Sequence, residues 1–220
     1  LTSLSGSIQV LARGLKLENS YKKLMEIVIK ETDRLNVILS DFLNYSQPKK
    51  NNNTIIDLTQ LIQDVIILLK NKEDFSSRKQ IVFKGMTDHL IWNGDEEQIK
   101  QVVWNLCINA LEAMSQGTLT LKLKEVLSFQ SGDFKSNHRG MVLEVQDEGC
   151  GIAQDKINNI YDPFYSSKKD GVGLGLATVY QIINRNGGVM DVKSKVGKGT
   201  LFTVFLPDQE SAISSPLLTH

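Results

Sequence analysis

Charge of one sign is what this 220-residue sequence most plainly lacks, because 25 lysines and arginines balance 25 aspartates and glutamates. Nucleic acid and anionic lipid surfaces both select for a surplus of cations, so neither is expected as the main partner. Long apolar runs are missing too. The stretch "VIILL" at 65–69 is core-sized, well short of the roughly 20 residues that span a bilayer. Cysteine is scarce: Cys107 and Cys150 have neither paired spacing nor histidine neighbours, which excludes a disulfide framework and a zinc site. A reducing compartment is therefore the default. The opening "LTSLSGSIQV" has no initiator methionine and no charged-then-apolar leader, so the chain reads as internal to a longer one. Membrane contact is expected only if an upstream region supplies it. No internal repeat is present.

What remains is ample for a core, with 41% of residues apolar, in one large domain or two modest ones. Residues 1–47 carry a helical rhythm. Leu4, Ile8, Leu11 and Leu15 recur at four- and three-residue steps, the seam of a coiled coil or bundle. After a break at "LENS", where Asn19 or Ser20 can cap, Leu24, Val28, Leu35, Ile38 and Phe42 continue the seam, with Glu31 as a blemish. Ile27, Leu39 and Leu43 add a second stripe. Two helices with that much apolar face imply either a partner chain or packing onto the rest of this one. The run "SQPKKNNNT" follows as a linker, assigned to 48–54.

From residue 55 the pattern mixes periods. Short strands are expected at "TIID", "QIVFKG" and "LIWNG", and long ones at "TLTLKLKEV", "GMVLEVQD", "GVMDVKSK" and "TLFTVFLP". Helices are expected over 58–72, over 95–115 and from about 173. The polar stretch "SFQSGDFKSNHRG" reads as an extended hairpin loop, and residues 208–220 as a tail without structure. The fold class is α+β: a partial two-helix hairpin (1–47), then an α/β sandwich (55–207) whose mixed sheet is covered by helices on one face.

Four pieces carry chemistry. In "NLCINALEAM", Asn105 and Asn109 stand four apart on the strongest helix, so both amides share a face. An amide oxygen suits Mg²⁺, which keeps waters and leans on phosphates for its remaining ligands. In "DEGCG", after an apolar strand, Asp147 can accept from an exocyclic amine such as that of adenine, while Gly149 and Gly151 let the backbone fold back. In "YDPFYSSKKDGVGLGL", Gly171, Gly173 and Gly175 lead directly into a helix. Successive backbone N–H groups before a helix N-terminus can wrap a polyphosphate, and Lys168 and Lys169 add charge. The spacing fits neither a Walker loop nor a dinucleotide fingerprint. In "GKGT" (197–200), Thr200 can bond the purine or the Asp147 carboxylate. Taken singly, each piece also has an ordinary reading as a cap, a turn or a solvated lysine.

In this order and spacing the pieces resemble the N, G1, F, G2 and G3 boxes of bacterial sensor histidine kinases, with their Bergerat-type ATP-binding fold, over roughly residues 55–207. The helical front is similar to the C-terminal part of the family's dimerisation and histidine-phosphotransfer hairpin. "NALEAM" and the short lid after "PFYSSK" look most like the nitrogen-regulation type. The resemblance implies ATP and Mg²⁺ as cofactors. Asn109 would be the metal ligand and Asn105 its neighbour near the phosphates, with Lys168 supplying charge to them. Asp147 would read adenine, beside Gly149, Gly151 and Ile152. Gly171, Gly173, Leu174, Gly175 and Leu176 would form the lid and phosphate cradle. Gly197, Gly199 and Thr200 would close the far side of the base. Phe164 and Tyr165 would pack the lid or fill core. Many relatives carry lysine at the position of Glu112.

The implied activity is transfer of the γ-phosphoryl group of ATP to a histidine about six residues upstream of Leu1, yielding a phosphoprotein that passes the group to the aspartate of a response-regulator receiver domain. The resemblance also implies a homodimer through residues 1–47 and a cytoplasmic location, tethered to the inner membrane if upstream residues provide an anchor. His89, His138 and His220 read as surface histidines, so this stretch alone is not expected to phosphorylate itself. Two alternatives remain: an ATPase of the gyrase, mismatch-repair or heat-shock kind, and a non-catalytic nucleotide-binding module. The ATPases carry a glutamate one turn before the metal-binding asparagine, where this chain has Asn105. An amide cannot take a proton from water near neutral pH.

Overall fold

The structure is a computed structural model that describes residues 19–46, 52–72, 75–85, 89–131, 134–166, 168 and 171–208. The early seam at Leu4, Ile8, Leu11 and Leu15, residues 48–51 of the 48–54 linker, Lys169 and the tail from 209 lie outside the described residues. The chain divides into two compact units, Leu1–Lys49 and Lys50–His220.

In the first unit, α1 spans Asn19–Ser46. Leu24, Ile27, Val28, Leu35, Leu39 and Leu43 recur along it and are 40–65% exposed. No helix among the described residues is long and apolar enough to cross a membrane.

The second unit starts from two carboxylates. Strand β1 (Asn53–Asp57) pairs antiparallel with β3 (Ile91–Asp95) in a two-stranded sheet of its own. Each strand ends in an aspartate that caps the next helix. Asp57 accepts from the Thr59 and Gln60 N–H groups at the start of α2 (Leu58–Lys70), and Asp95 from Gln98 N–H in α3 (Glu96–Ala113). A carboxylate there satisfies orphan donors and meets the positive end of the helix dipole. At the far end of α3, Lys79 Nζ donates to Leu111 O at 2.8 Å and neutralises the negative end.

The main sheet has the order β2 (Lys79–Gly85), β4 (Gly117–Val126), β7 (Gly140–Gln146), β9 (Gly199–Pro207), β8 (Val189–Lys195). The first pair is parallel and the rest antiparallel, so the sheet is mixed, as expected. Alternation decides its faces. Leu119, Leu121, Leu123, Val145 and Val204 point into one core with Ile62, Val65, Leu106 of the helices and Val179 of α4 (Gly175–Arg185). Each fully buried Leu or Val contributes about 1.5–3 kcal/mol. On the opposite face Lys122 and Lys124 pair with Glu144.

The stretch expected as an extended loop is instead built. Strands β5 (Phe129–Ser131) and β6 (Phe134–Ser136) form a ribbon, and Phe129 stacks on Phe205 with centroids 4.8 Å apart. Phe205 and Val142 point away from the helices yet are 0% and 1% exposed. They give a polar-looking segment something apolar to fold onto.

Candidate functional site

Helix α3 supplies one wall of the site. Asn105, Asn109 and Glu112 follow at i, i+4 and i+7, which places them on one helical face. Asn105 Nδ2 donates to Gly175 O at 3.4 Å, so the first amide meets the start of α4. Asn109 Oδ1 accepts from Lys168 Nζ at 2.9 Å, and the same ammonium contacts Glu112 Oε2. Glu112 was not singled out as a partner of Lys168 from the sequence, because 56 residues separate the two.

The carboxylate wall stands at the C-terminal end of α3. Asp147 leaves β7 and is only 3% exposed. Its Oδ1 accepts from Gly149 N–H at 2.8 Å and from Thr200 N–H at 3.2 Å. Burial raises its carboxyl above the ordinary range, and those two hydrogen bonds oppose the rise. Both donors come to the same oxygen, which orients Oδ2 as the acceptor for a ligand donor. Cys150 N–H donates to Ala113 O at 3.0 Å, seating this turn on the end of α3 one turn beyond Asn109. A Cβ on Gly149 would lie 2.6 Å from that same carbonyl, so the close approach requires glycine.

Thr200 meets the Asp147 carboxylate, one of its two expected partners, through its backbone. Its N–H, not its hydroxyl, holds Asp147, and its Oγ1 lies 2.9 Å from Ser194 Oγ. Ser194 in turn accepts from Ile152 N–H at 2.8 Å, and Gly197 N–H donates to Cys150 O at 2.8 Å. These bonds tie the turn through Gly151 and Ile152 to the β8–β9 hairpin. Ser194 is a site residue that sequence reading missed, for it sits in an ordinary alternating strand with no motif around it. Gly199 has φ +93, and a Cβ there would overlap the Asp147 carbonyl.

The lid meets the α3 wall through Lys168 and Gly175. Gly171 N–H donates to Lys168 O at 3.3 Å, and Phe164 N–H to Gly173 O at 3.0 Å. Gly173 has φ +75, left-handed backbone that glycine adopts without strain. Phe164 shares that conformation at φ 67 and is 60% exposed, so it fills no core; Tyr165 does pack against it. Leu174 is 1% exposed and precedes α4, Gly175 opens that helix, and Leu176 packs partly buried against the core. No side chain caps α4. A helix start without a side-chain cap leaves its first N–H groups as donors that an anion can use.

Of the two thiols, Cys150 is exposed, whereas Cys107 is buried and pushed up to about 12 by that burial. Among the described residues no cluster of three or more His, Cys, Asp or Glu could hold a metal. Asn109 Oδ1 already accepts from a cationic group, the Lys168 ammonium, and it adjoins a carboxylate. One amide oxygen fits Mg²⁺ carried in on phosphates, an ion that keeps several waters and demands few protein ligands.

Residues 94–210 match the family described as Histidine kinase-, DNA gyrase B-, and HSP90-like ATPase. Sensor histidine kinase ZraS of Salmonella typhi is 33% identical over 209 residues, covering 94% of this chain and 42% of its own length. Full-length ShkA in complex with AMPPNP shares the fold with a TM-score of 0.74 at 22% identity, over 94% of this chain and 43% of that one. The histidine kinase ThkA in complex with the response regulator protein TrrA gives a TM-score of 0.69 at 23% identity, over 96% of this chain and 58% of that one. The chain thus spans 42% of the length of the curated relative cited.

Proposed function

Because the chain belongs to the histidine kinase-, DNA gyrase B- and HSP90-like ATPase family, and carries the ATP-binding core of a sensor histidine kinase, we propose that it binds Mg-ATP in this cleft and directs the γ-phosphoryl group to a histidine. Asp147 accepts from the adenine amine, the uncapped start of α4 receives the phosphates, and Asn109 holds the metal. When bound, Mg²⁺ neutralises phosphate charge. Phosphoryl transfer asks little else of a protein beyond position and charge.

One observation favours a kinase over a hydrolase. Asn105 stands one turn before Asn109, where hydrolysing relatives resemble this helix but carry glutamate, and its Nδ2 donates to Gly175 O. An amide committed as a donor cannot act as a general base toward water. A neutral imidazole needs no such base, since its nitrogen lone pair attacks directly.

The exposed stripe of α1 supports a homodimer through residues 1–47. A receiver domain is the partner that takes the phosphoryl group onward. ThkA was crystallised with such a protein, which supports that reading. Use of ATP and of a receiver domain fits a cytoplasmic setting.

Incubation with γ-labelled ATP tests the reading. No histidine lies within residues 1–47, and His89, His138 and His220 fall outside that hairpin, so the 220-residue chain alone should stay unlabelled. Adding a version extended upstream to include a histidine should produce an acid-labile, base-stable label. Fast steady hydrolysis of ATP without any protein label would instead make it an ATPase.

A further inference from the structure

We propose that Glu112 is a positioning residue that stations the lid lysine, Lys168, on the amide oxygen of Asn109, so that an ammonium fills the metal's seat until nucleotide arrives with its own cation. The proposal rests on the nucleotide reading above and concerns what its site does beforehand. Lys168 Nζ is 2.9 Å from Asn109 Oδ1 and in ion-pair contact with Glu112 Oε2. The two oxygens lie about one turn apart on the same face of α3, and so converge on one point. The lysine reaches that point from the lid.

Its backbone is held for the reach. Lys168 N–H donates to Ser166 Oγ at 3.1 Å, and Lys168 O accepts from the same hydroxyl at 3.3 Å. Gly171 N–H donates to that carbonyl as well. The lysine is thereby braced on both sides, with its side chain laid against α3.

An ammonium and a hydrated metal ion cannot share one amide oxygen, because two cations in that space repel. Entry of a metal nucleotide therefore expels Lys168 from Asn109, and the triphosphate offers the freed ammonium a new anionic partner. Glu112 makes the exchange modest. Its side chain is 53% exposed and that of Lys168 40%, and ion pairs so open to water change an equilibrium by about two- to fivefold. The pair biases where Lys168 rests without locking the lid.

Two measurements on the full chain test this. In the first, nucleotide-free wild type and Glu112→Gln are treated with an amine-acylating reagent, and modification at Lys168 is read by peptide mass spectrometry against Lys198 as the internal reference. The expected result is acylation of Lys168 about two- to fivefold faster in E112Q. Equal rates overturn the proposal and leave the nucleotide reading intact. In the second, calorimetry with AMPPNP is run in Mg²⁺ and in EDTA. E112Q should bind no more weakly than wild type in either. Weakening confined to Mg²⁺ would make Glu112 a metal ligand and overturn its role as the lysine's anchor. Failure of the wild type to bind AMPPNP at all would sink the nucleotide reading, and the exchange with it, whatever the acylation rates.

Discussion

At Asp147 burial and charge pull against each other. The carboxylate is nearly sealed from water, and its raised pKa reflects the cost of keeping it ionised there. A native pKa above the unfolded one means that the folded chain binds a proton more tightly. Between the ordinary carboxyl range and the raised value, this group's contribution to stability therefore falls as pH rises, then levels off once both states are ionised. Nucleotide affinity runs the other way, because only the ionised form accepts a charge-assisted hydrogen bond without donating one. Replacing Asp147 with Asn should weaken adenine nucleotide binding about tenfold or more, from the loss of about 1.5–3 kcal/mol. Calorimetric dissociation constants check it, and an unchanged value removes Asp147 from the site. Acidification from neutral should weaken wild-type binding at a higher pH than an ordinary aspartate would, while Asp147→Asn stays flat after the nucleotide's own titration is subtracted. Parallel pH curves for the two proteins would contradict this.

At the element scale, the helix caps are where local chemistry sets the geometry of the site. Asp57 ends β1 and opens α2; its carboxylate also lies 2.6 Å from His89 Nδ1. Burial would raise its pKa, but the bond to His89 and the two backbone donors outweigh that and lower it. Its stabilising effect is thus present above the ordinary aspartate pKa and fades as pH falls through the lowered value. Asp57→Ala should cost about 0.5–2 kcal/mol, read from urea unfolding at neutral pH. Such local signals explain what could be read in advance. The long alternations of β4, β7 and β9 and the apolar face of α3 survive folding because burial enforces them. Asn105, Asn109, Asp147 and the lid glycines could be proposed as site residues from the sequence because their spacing is tied to short-range geometry. Pairing partners are not written that way. Nothing in "TIID" or "LIWNG" says that β1 and β3 form a ribbon apart from the main sheet. Neither Ser194 nor the bond between Lys168 and Glu112 has a local signature, since each depends on strands or loops brought together from afar. The β5–β6 ribbon was hidden because its anchor, Phe205, belongs to a strand more than 70 residues away.

At the scale of the molecule, the buried apolar cluster among the described residues lies in the second unit, running from Ile56 to Leu206. Deleting residues 1–49 should therefore leave a cooperatively folding monomer that still binds AMPPNP. The full chain should be a dimer by light scattering at micromolar concentration. A monomeric full chain would leave the α1 stripe without its expected use, and an unfolded deletion would show that the second unit depends on the first. The position of β9 carries a consequence for biosynthesis. It is the last strand among the described residues yet lies inside the sheet between β7 and β8, and Trp92 Nε1 reaches forward to donate to its Pro207 carbonyl at 3.0 Å. Until the ribosome has released residues 199–207, the nascent polypeptide holds an open gap in its middle, and Asp147 has no Thr200 amide to orient it. A polypeptide that stops short of residue 199 would keep much of the core yet lack the strand whose Thr200 amide aims the Asp147 carboxylate, and should fail to retain nucleotide.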